Sequence, residues 1–253
     1  MPESPEKPAR VSLLALPESS GSVLYGLYDV FSASGSVWSQ ITGAAESTNG
    51  FAVEIVAPTT TPFHCLGGVP VEPQADLSQP RHNDLVVITD LGIPLDFDPR
   101  GAWPEAVDWV RRQYEQGAVV AGICTGSVLL AETGLLKGRE ATTHWAYEDL
   151  FERHYPDVRL KVNDVLVAVG PEQRLITTGG AAAWEDLALM LLARFCGEAE
   201  ARRIAKIFVI GDRSEGQRPY AAMVRPRPHD DAVVADCQVW IADHYAAPNP
   251  VTR

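Results

Sequence analysis

The sequence predicts an α/β sandwich built round a mostly parallel central sheet. Three observations lead there. Short, continuous apolar runs such as HNDLVVITD (82–90) and AVVAGIC (118–124), bracketed by turn formers, have the pattern of strands buried on both faces. Amphipathic helical stretches alternate with these runs, as a succession of βαβ units demands. In GICTG (122–126) an apolar run gives way to a helical pattern across a turn flanked by glycines, the composition of a nucleophile elbow.

VSLLAL (11–16) is a first strand ended by Pro17, and SSGSVLYGLYDVFSASGSVW (19–38) is a helix with Leu24, Leu27, Val30 and Phe31 on one face. FAVEIVAP (51–58) alternates like a strand, the stretch from Thr59 to Arg81 is irregular with a short extended piece at 69–71, and the strand at 82–90 follows. WPEAVDWVRRQYEQG is an amphipathic helix with Pro104 in its first turn and Gly117 past its end. After the strand AVVAGIC come helices at TGSVLLAETGLL and TTHWAYEDLFERHY, strands at VLVAVG and RLITTGG, a long helix AAAWEDLALMLLARFC closed by Gly197, and a last helix EAEARRIAKIFVI.

With 253 residues, 46% of them hydrophobic, the chain can bury a full core. A formal net charge of -12 repels phosphate backbones, so nucleic-acid binding by this portion alone is not expected. The four cysteines, Cys65, Cys124, Cys196 and Cys237, form no CxxC pair, and the histidines form no ligand-spaced cluster. No disulfide framework or metal site follows, no motif indicates a nucleotide, haem or other cofactor, and a reducing cytoplasm is the expected location. Residues 1–10, MPESPEKPAR, make a poor signal peptide and read as a disordered tail. No apolar run approaches the ~18–20 residues of a membrane span.

Chemistry in a parallel α/β sheet gathers at the carboxyl ends of its strands, which is where Cys124 falls. The positive end of the following helix favours thiolate, and backbone N–H groups there, that of Thr125 among them, can donate to an oxyanion. Gly92, on the loop after the preceding strand, is the candidate second donor. The plainer alternative is a small buried filler. Cys65, Cys196 and Cys237 are read as packing or incidental residues, which makes Cys124 the expected reactive thiol.

Two stretches, CTGSVLLAETGLLKGREATTHW (124–145) and TTGGAAAWEDLALMLL (177–192), resemble the DJ-1/PfpI superfamily, the cysteine branch of class I glutamine-amidotransferase-like folds. The match is most specific to the branch found at the N-terminus of AraC-type transcriptional regulators, and the resemblance covers residues 11–210. It implies a flavodoxin-like sandwich and places His144 near the nucleophile, where imidazole can stabilise a thiolate or act as a base. A histidine satisfied by local hydrogen bonds at a helix start is the other reading. The intracellular-protease members carry a histidine directly after the cysteine, where this chain has Thr125, so a protease is not expected. Val23 stands where hydratase-like members carry an acid on the first helix. Glu18 follows the first strand and either reaches the site from a different backbone position or is a solvated turn residue, and Asp29, further along that helix, is a weaker substitute. No His-x-Glu pair follows at HWAYEDLF to complete an amidotransferase triad.

Beyond residue 210 the proline- and arginine-rich 211–228 reads as a linker or arm. DDAVVADCQVWIADH, within 229–253, resembles the opening helix of an AraC-type helix-turn-helix domain, with a helix that caps the preceding domain as the alternative. Neither recognition helix is present, which fits either a regulator cut inside its DNA-binding domain or a stand-alone relative. Two functions are therefore expected to compete. One is the ligand-sensing and dimerising domain of an AraC-like regulator, which holds a small molecule over Cys124 as a homodimer and reaches DNA only through the missing helix-turn-helix domain. The other is a cysteine-dependent enzyme, isonitrile-hydratase-like or amidase-like, acting on small molecules.

Overall fold

β1 (Ala9–Leu14) lies in the middle of the sheet, and its burial explains its composition: Val11 and Leu13 enter one core while Leu14 enters the other. The computed structural model describes residues 8–43 and 49–210, with the helical positions Val233, Val234, Asp236, Cys237, Trp240 and Ile241. Strand β1 begins two residues before the expected Val11, because Ala9 donates to the Gly50 carbonyl at 3.1 Å and the Arg10 amide to Asp84 at 2.8 Å. The expected tail therefore does not extend to residue 10; residues 1–7 lie outside the described set.

Helix α1 (Gly21–Ser32) buries Val23, Leu24, Leu27, Val30 and Phe31. It stops well short of residue 38, since the chain turns through Gly35 at φ 83, and the Gly35 amide donates to the buried Glu200 carboxylate at 2.8 Å. Helix α2 (Val37–Thr42) is a separate short piece. After β2 (Phe51–Ala57), a hairpin of β3 (Phe63–His64) and β4 (Pro70–Val71) turns at Gly67 and Gly68, both at φ 78, and β5 (Ala75–Asp76) closes one sheet edge. Then come β6 (Leu85–Ile88), α3 (Pro104–Glu115), β7 (Val119–Ile123) and α4 (Gly126–Glu132).

The remaining elements are β8 (Glu140–Ala141), α5 (Glu148–His154), β9 (Arg159–Leu160), β10 (Leu166–Val169), β11 (Leu175–Thr178), α6 (Trp184–Cys196) and α7 (Glu198–Phe208). The expected helix over TTHWAYEDLFERHY starts late. Thr142 is bound to strand β11 and to the Asp164 carbonyl, so only a 3-10 turn, Trp145–Tyr147, leads into α5. The linker at 211–228 lies outside the described residues, and of the 229–253 segment the six named positions are helical and exposed.

The main sheet has seven strands in the order β10-β11-β7-β6-β1-β2-β5, parallel except for the β10–β11 pair. Helices α1, α6 and α7 cover one face, and α3, α4 and α5 the other. The parallel register sets Leu14 beside Ile88, Ile88 beside Gly122 and Ile123 beside Thr178. The residues that follow these strands therefore meet at one edge. Among the described residues no helix is long and apolar enough to cross a membrane.

Candidate functional site

Cys124 follows β7 directly with φ 54, a left-handed conformation that a side chain other than glycine rarely adopts, and α4 begins two residues later. This is the sharp strand-to-helix turn the glycines foretell. Their role is close approach. A Cβ on Gly126 would sit 2.5 Å from the Thr89 carbonyl oxygen, and one on Gly122 would meet the Gly126 backbone at 3.0 Å. Thr125 locks the turn to the neighbouring loop: its hydroxyl donates to the Leu91 carbonyl at 2.6 Å and accepts from the Leu91 amide at 2.7 Å. The Ser127 and Thr143 hydroxyls lie 2.6 and 3.2 Å from the Cys124 carbonyl.

Strain of this kind holds a side chain at a sheet edge, where burial disfavours the thiolate. Cys124 is 7% exposed, and burial, with the charge of Asp90 next, pushes its thiol up to about 12. Hydrogen bonds from the Thr125 backbone and hydroxyl pull the other way and lose. Helix α4 has only seven residues and cannot offset that desolvation. Cys65 and Cys196 are buried as well, and Cys237 is the exposed thiol.

The other expected residues are distributed unevenly. His144 caps the 3-10 turn, its Nδ1 accepting from the Ala146 amide at 3.2 Å, and burial lowers its pKa, which keeps the imidazole neutral at pH 7. Its ring packs against Trp145 and Tyr147. Among the described residues no hydrogen bond joins it to Cys124. The group of this segment that senses the cysteine is Tyr147, whose phenol is raised first by burial and then by the Cys124 charge, and whose hydroxyl donates to the Ile93 carbonyl at 2.5 Å.

The Gly92 amide, expected as an oxyanion donor, is committed to the Glu18 carbonyl at 2.7 Å, and Leu66 lies over Gly92 so closely that a Cβ there would be 2.8 Å from its Cδ2. The Glu18 side chain is half-buried, with Oε2 shielded from solvent and without a hydrogen-bond partner. Val23 is buried on α1, whereas Asp29 is exposed and faces away from this core.

Asp90 is the residue the sequence reading missed. It is 8% exposed just beyond β6, with the Ser20 hydroxyl 2.7 and 2.8 Å from its two carboxylate oxygens. Burial raises its pKa, and the Ser20 hydrogen bonds oppose the rise. The available signal was an acid closing a buried strand at the edge where Cys124 also lies. Beside the 3-10 turn an open cleft of about 460 Å³ is lined by Leu95, Asp96, Ala146, Asp149 and Arg153, and not by Cys124 or Asp90. Among the described residues no group of three or more His, Cys, Asp or Glu could hold a metal ion.

Known proteins are similar to this chain in sequence or in fold. The HTH-type transcriptional regulator CdhR of Pseudomonas aeruginosa is 36% identical over 152 residues, 59% of this chain and 42% of the regulator. The isonitrile hydratase of Pseudomonas putida is 40% identical over 94 residues, 37% of this chain and 38% of the hydratase. The chain thus spans less than half the length of either relative. A solved AraC family transcriptional regulator from Pseudomonas putida superposes with a TM-score of 0.61 at 16% identity, over 79% of this chain and 100% of that one, a likeness of fold. The model of the DJ-1/PfpI family matches residues 24–194, across both faces of the sandwich and the turn at Cys124, and the chain belongs to that family.

Proposed function

We propose that this chain is the ligand-sensing and dimerising part of an AraC-like regulator, and that it binds a small molecule beside Cys124 without turning it over. What supports the reading is the burial of the site: Cys124 is 7% exposed, a setting that disfavours its thiolate, and the family resemblance puts the buried Val23 where hydratase-like members carry an acid. General acid/base assistance is worth ~10²–10⁴-fold, so its loss leaves a binding site before it leaves an enzyme. The identity with CdhR supports the same reading. A chain with a net charge of -12 is poorly suited to contact DNA; that contact belongs to a helix-turn-helix domain, and the setting is cytoplasmic. A two-fold assembly suits paired half-sites.

A second reading, a cysteine-dependent hydratase, draws on the shorter match to isonitrile hydratase and on the strained elbow. Turnover separates the two. The expected result is no conversion of isonitriles or small α-oxoaldehydes above that of Cys124→Ser, together with a dimer by light scattering after size exclusion. Conversion that disappears in Cys124→Ser would overturn the sensing reading, and a monomer at micromolar concentration would remove its dimer.

A further inference from the structure

Asp90 is held in place from two directions. On one side its neighbours touch the elbow: Leu91 is clamped through both its amide and its carbonyl by the Thr125 hydroxyl, and the Thr89 carbonyl lies against Gly126. On the other side the loop after β1 is zipped to the loop after β6. Ser19 bonds Thr89 at 2.7 Å and bridges Leu91, the Gly92 amide donates to Glu18, and Ser20 holds the Asp90 carboxylate. Ser20 is the N-cap residue of α1 but makes no side-chain bond to its own helix, because its hydroxyl serves Asp90. The carboxyl therefore sits at the entrance of α1, three residues before Val23, and one residue from the Leu91–Thr125 clamp.

We propose that Asp90, reaching the site from the carboxyl end of β6, is the carboxyl that governs the Cys124 thiol in this chain, in place of an acid on α1. A carboxylate in a poorly solvated site opposes a second negative charge beside it, so Asp90 keeps the sulfur protonated. The same carboxylate acts on Cys65, whose neighbour Leu66 pairs with Ser19 and Ser20 and whose thiol is raised first by burial and also by Asp90. Two thiols thus share one controlling charge. This holds whether the site senses a ligand or turns one over.

Other titratable groups on the elements packed here include Glu18 on the loop after β1, Tyr25, Tyr28 and Asp29 on α1, His64 on β3, and His144 and Tyr147 of the 3-10 turn. Glu185 and Asp186 stand in the first turn of α6. Arg194, in the last turn of α6, is engaged by the Glu172 and Gln173 carbonyls rather than by Asp90.

The test is the pH profile of iodoacetamide labelling, read thiol by thiol from mapped peptides in the full chain. Asp90→Asn keeps the size and hydrogen-bonding shape of the side chain and removes its charge. The labelling profiles of Cys124 and Cys65 are expected to move down by about one pH unit, which is about tenfold faster labelling at a fixed mildly alkaline pH. Cys196, whose electrostatic neighbour is Glu200, serves as the internal control and is expected not to change. Ser20→Ala breaks the same tether but leaves the carboxylate, so it is expected not to accelerate Cys124. Equal acceleration of all three buried thiols in either variant would mean that the fold had loosened, and would overturn the proposal. So would slower labelling of Cys124 in Asp90→Asn, the mark of a carboxyl that accepts the thiol proton, or no change at all.

Discussion

Gly126→Ala is expected to destabilise the protein by about 3 kcal/mol or more and to lower its melting temperature by roughly 10 °C. The added Cβ would lie 2.5 Å from the Thr89 carbonyl oxygen and 2.7 Å from that of Ile88. Both are backbone atoms of the neighbouring strand end and cannot swing away as a side chain can. The gain from replacing glycine in a helix is at most about 1 kcal/mol, so the clash decides the sign. Gly134→Ala is the control. Gly134 has φ 78 with nothing within 4 Å of its would-be Cβ, so its cost is the conformational one, about 1–2 kcal/mol. Thermal unfolding of both variants checks the ranking. A Gly126→Ala protein as stable as Gly134→Ala would mean that β6 and α4 are not in contact as described, and the approach of Asp90 to Cys124 would fall with it.

That contact also shows where sequence reading ends. The strand AVVAGIC and the elbow were legible because five buried apolar residues and two glycines sit next to each other in the chain. Asp90 was not. In HNDLVVITD it passes for a turn former, and its meeting with Cys124 depends on the parallel register that sets Ile88 beside Gly122. The start of the helix at 142–155 was misjudged for a similar reason: TTHWAYEDLFERHY has helical periodicity throughout, but the Thr142 amide donates to Thr177 Oγ1 at 2.8 Å and holds the start of the segment extended. The break after α1 depends on Glu200, 165 residues beyond Gly35 in the chain. In each case a single long-range hydrogen bond or strand pairing overrides a correct local pattern.

Val23→Asp is expected to cost about 3–5 kcal/mol at neutral pH, because it sets a carboxyl among buried apolar side chains. Val23 is 1% exposed and belongs to the core cluster that contains Leu27, Ile123 and Cys124. Burial raises the folded-state pKa of the new group above its unfolded value of about 3.9. The folded state then binds more protons than the unfolded one, so stability falls as pH rises through the interval between the two values. The penalty is smallest below about pH 4 and grows by about 1.4 kcal/mol per unit until the folded-state pKa is reached. Val23→Asn, polar but not ionisable, is expected to show a cost that does not vary with pH in this interval, and urea unfolding at several pH values separates the two. The same pair bears on function. Asp90 already stands at the entrance of α1, so a second carboxyl there stays protonated near neutral pH and can donate a proton but not accept one. Cys124-dependent conversion of isonitriles that appears in Val23→Asp and not in Val23→Asn would identify the missing acid as what separates this site from an enzyme. Its absence in a folded Val23→Asp protein would place the difference in the protonated thiol itself.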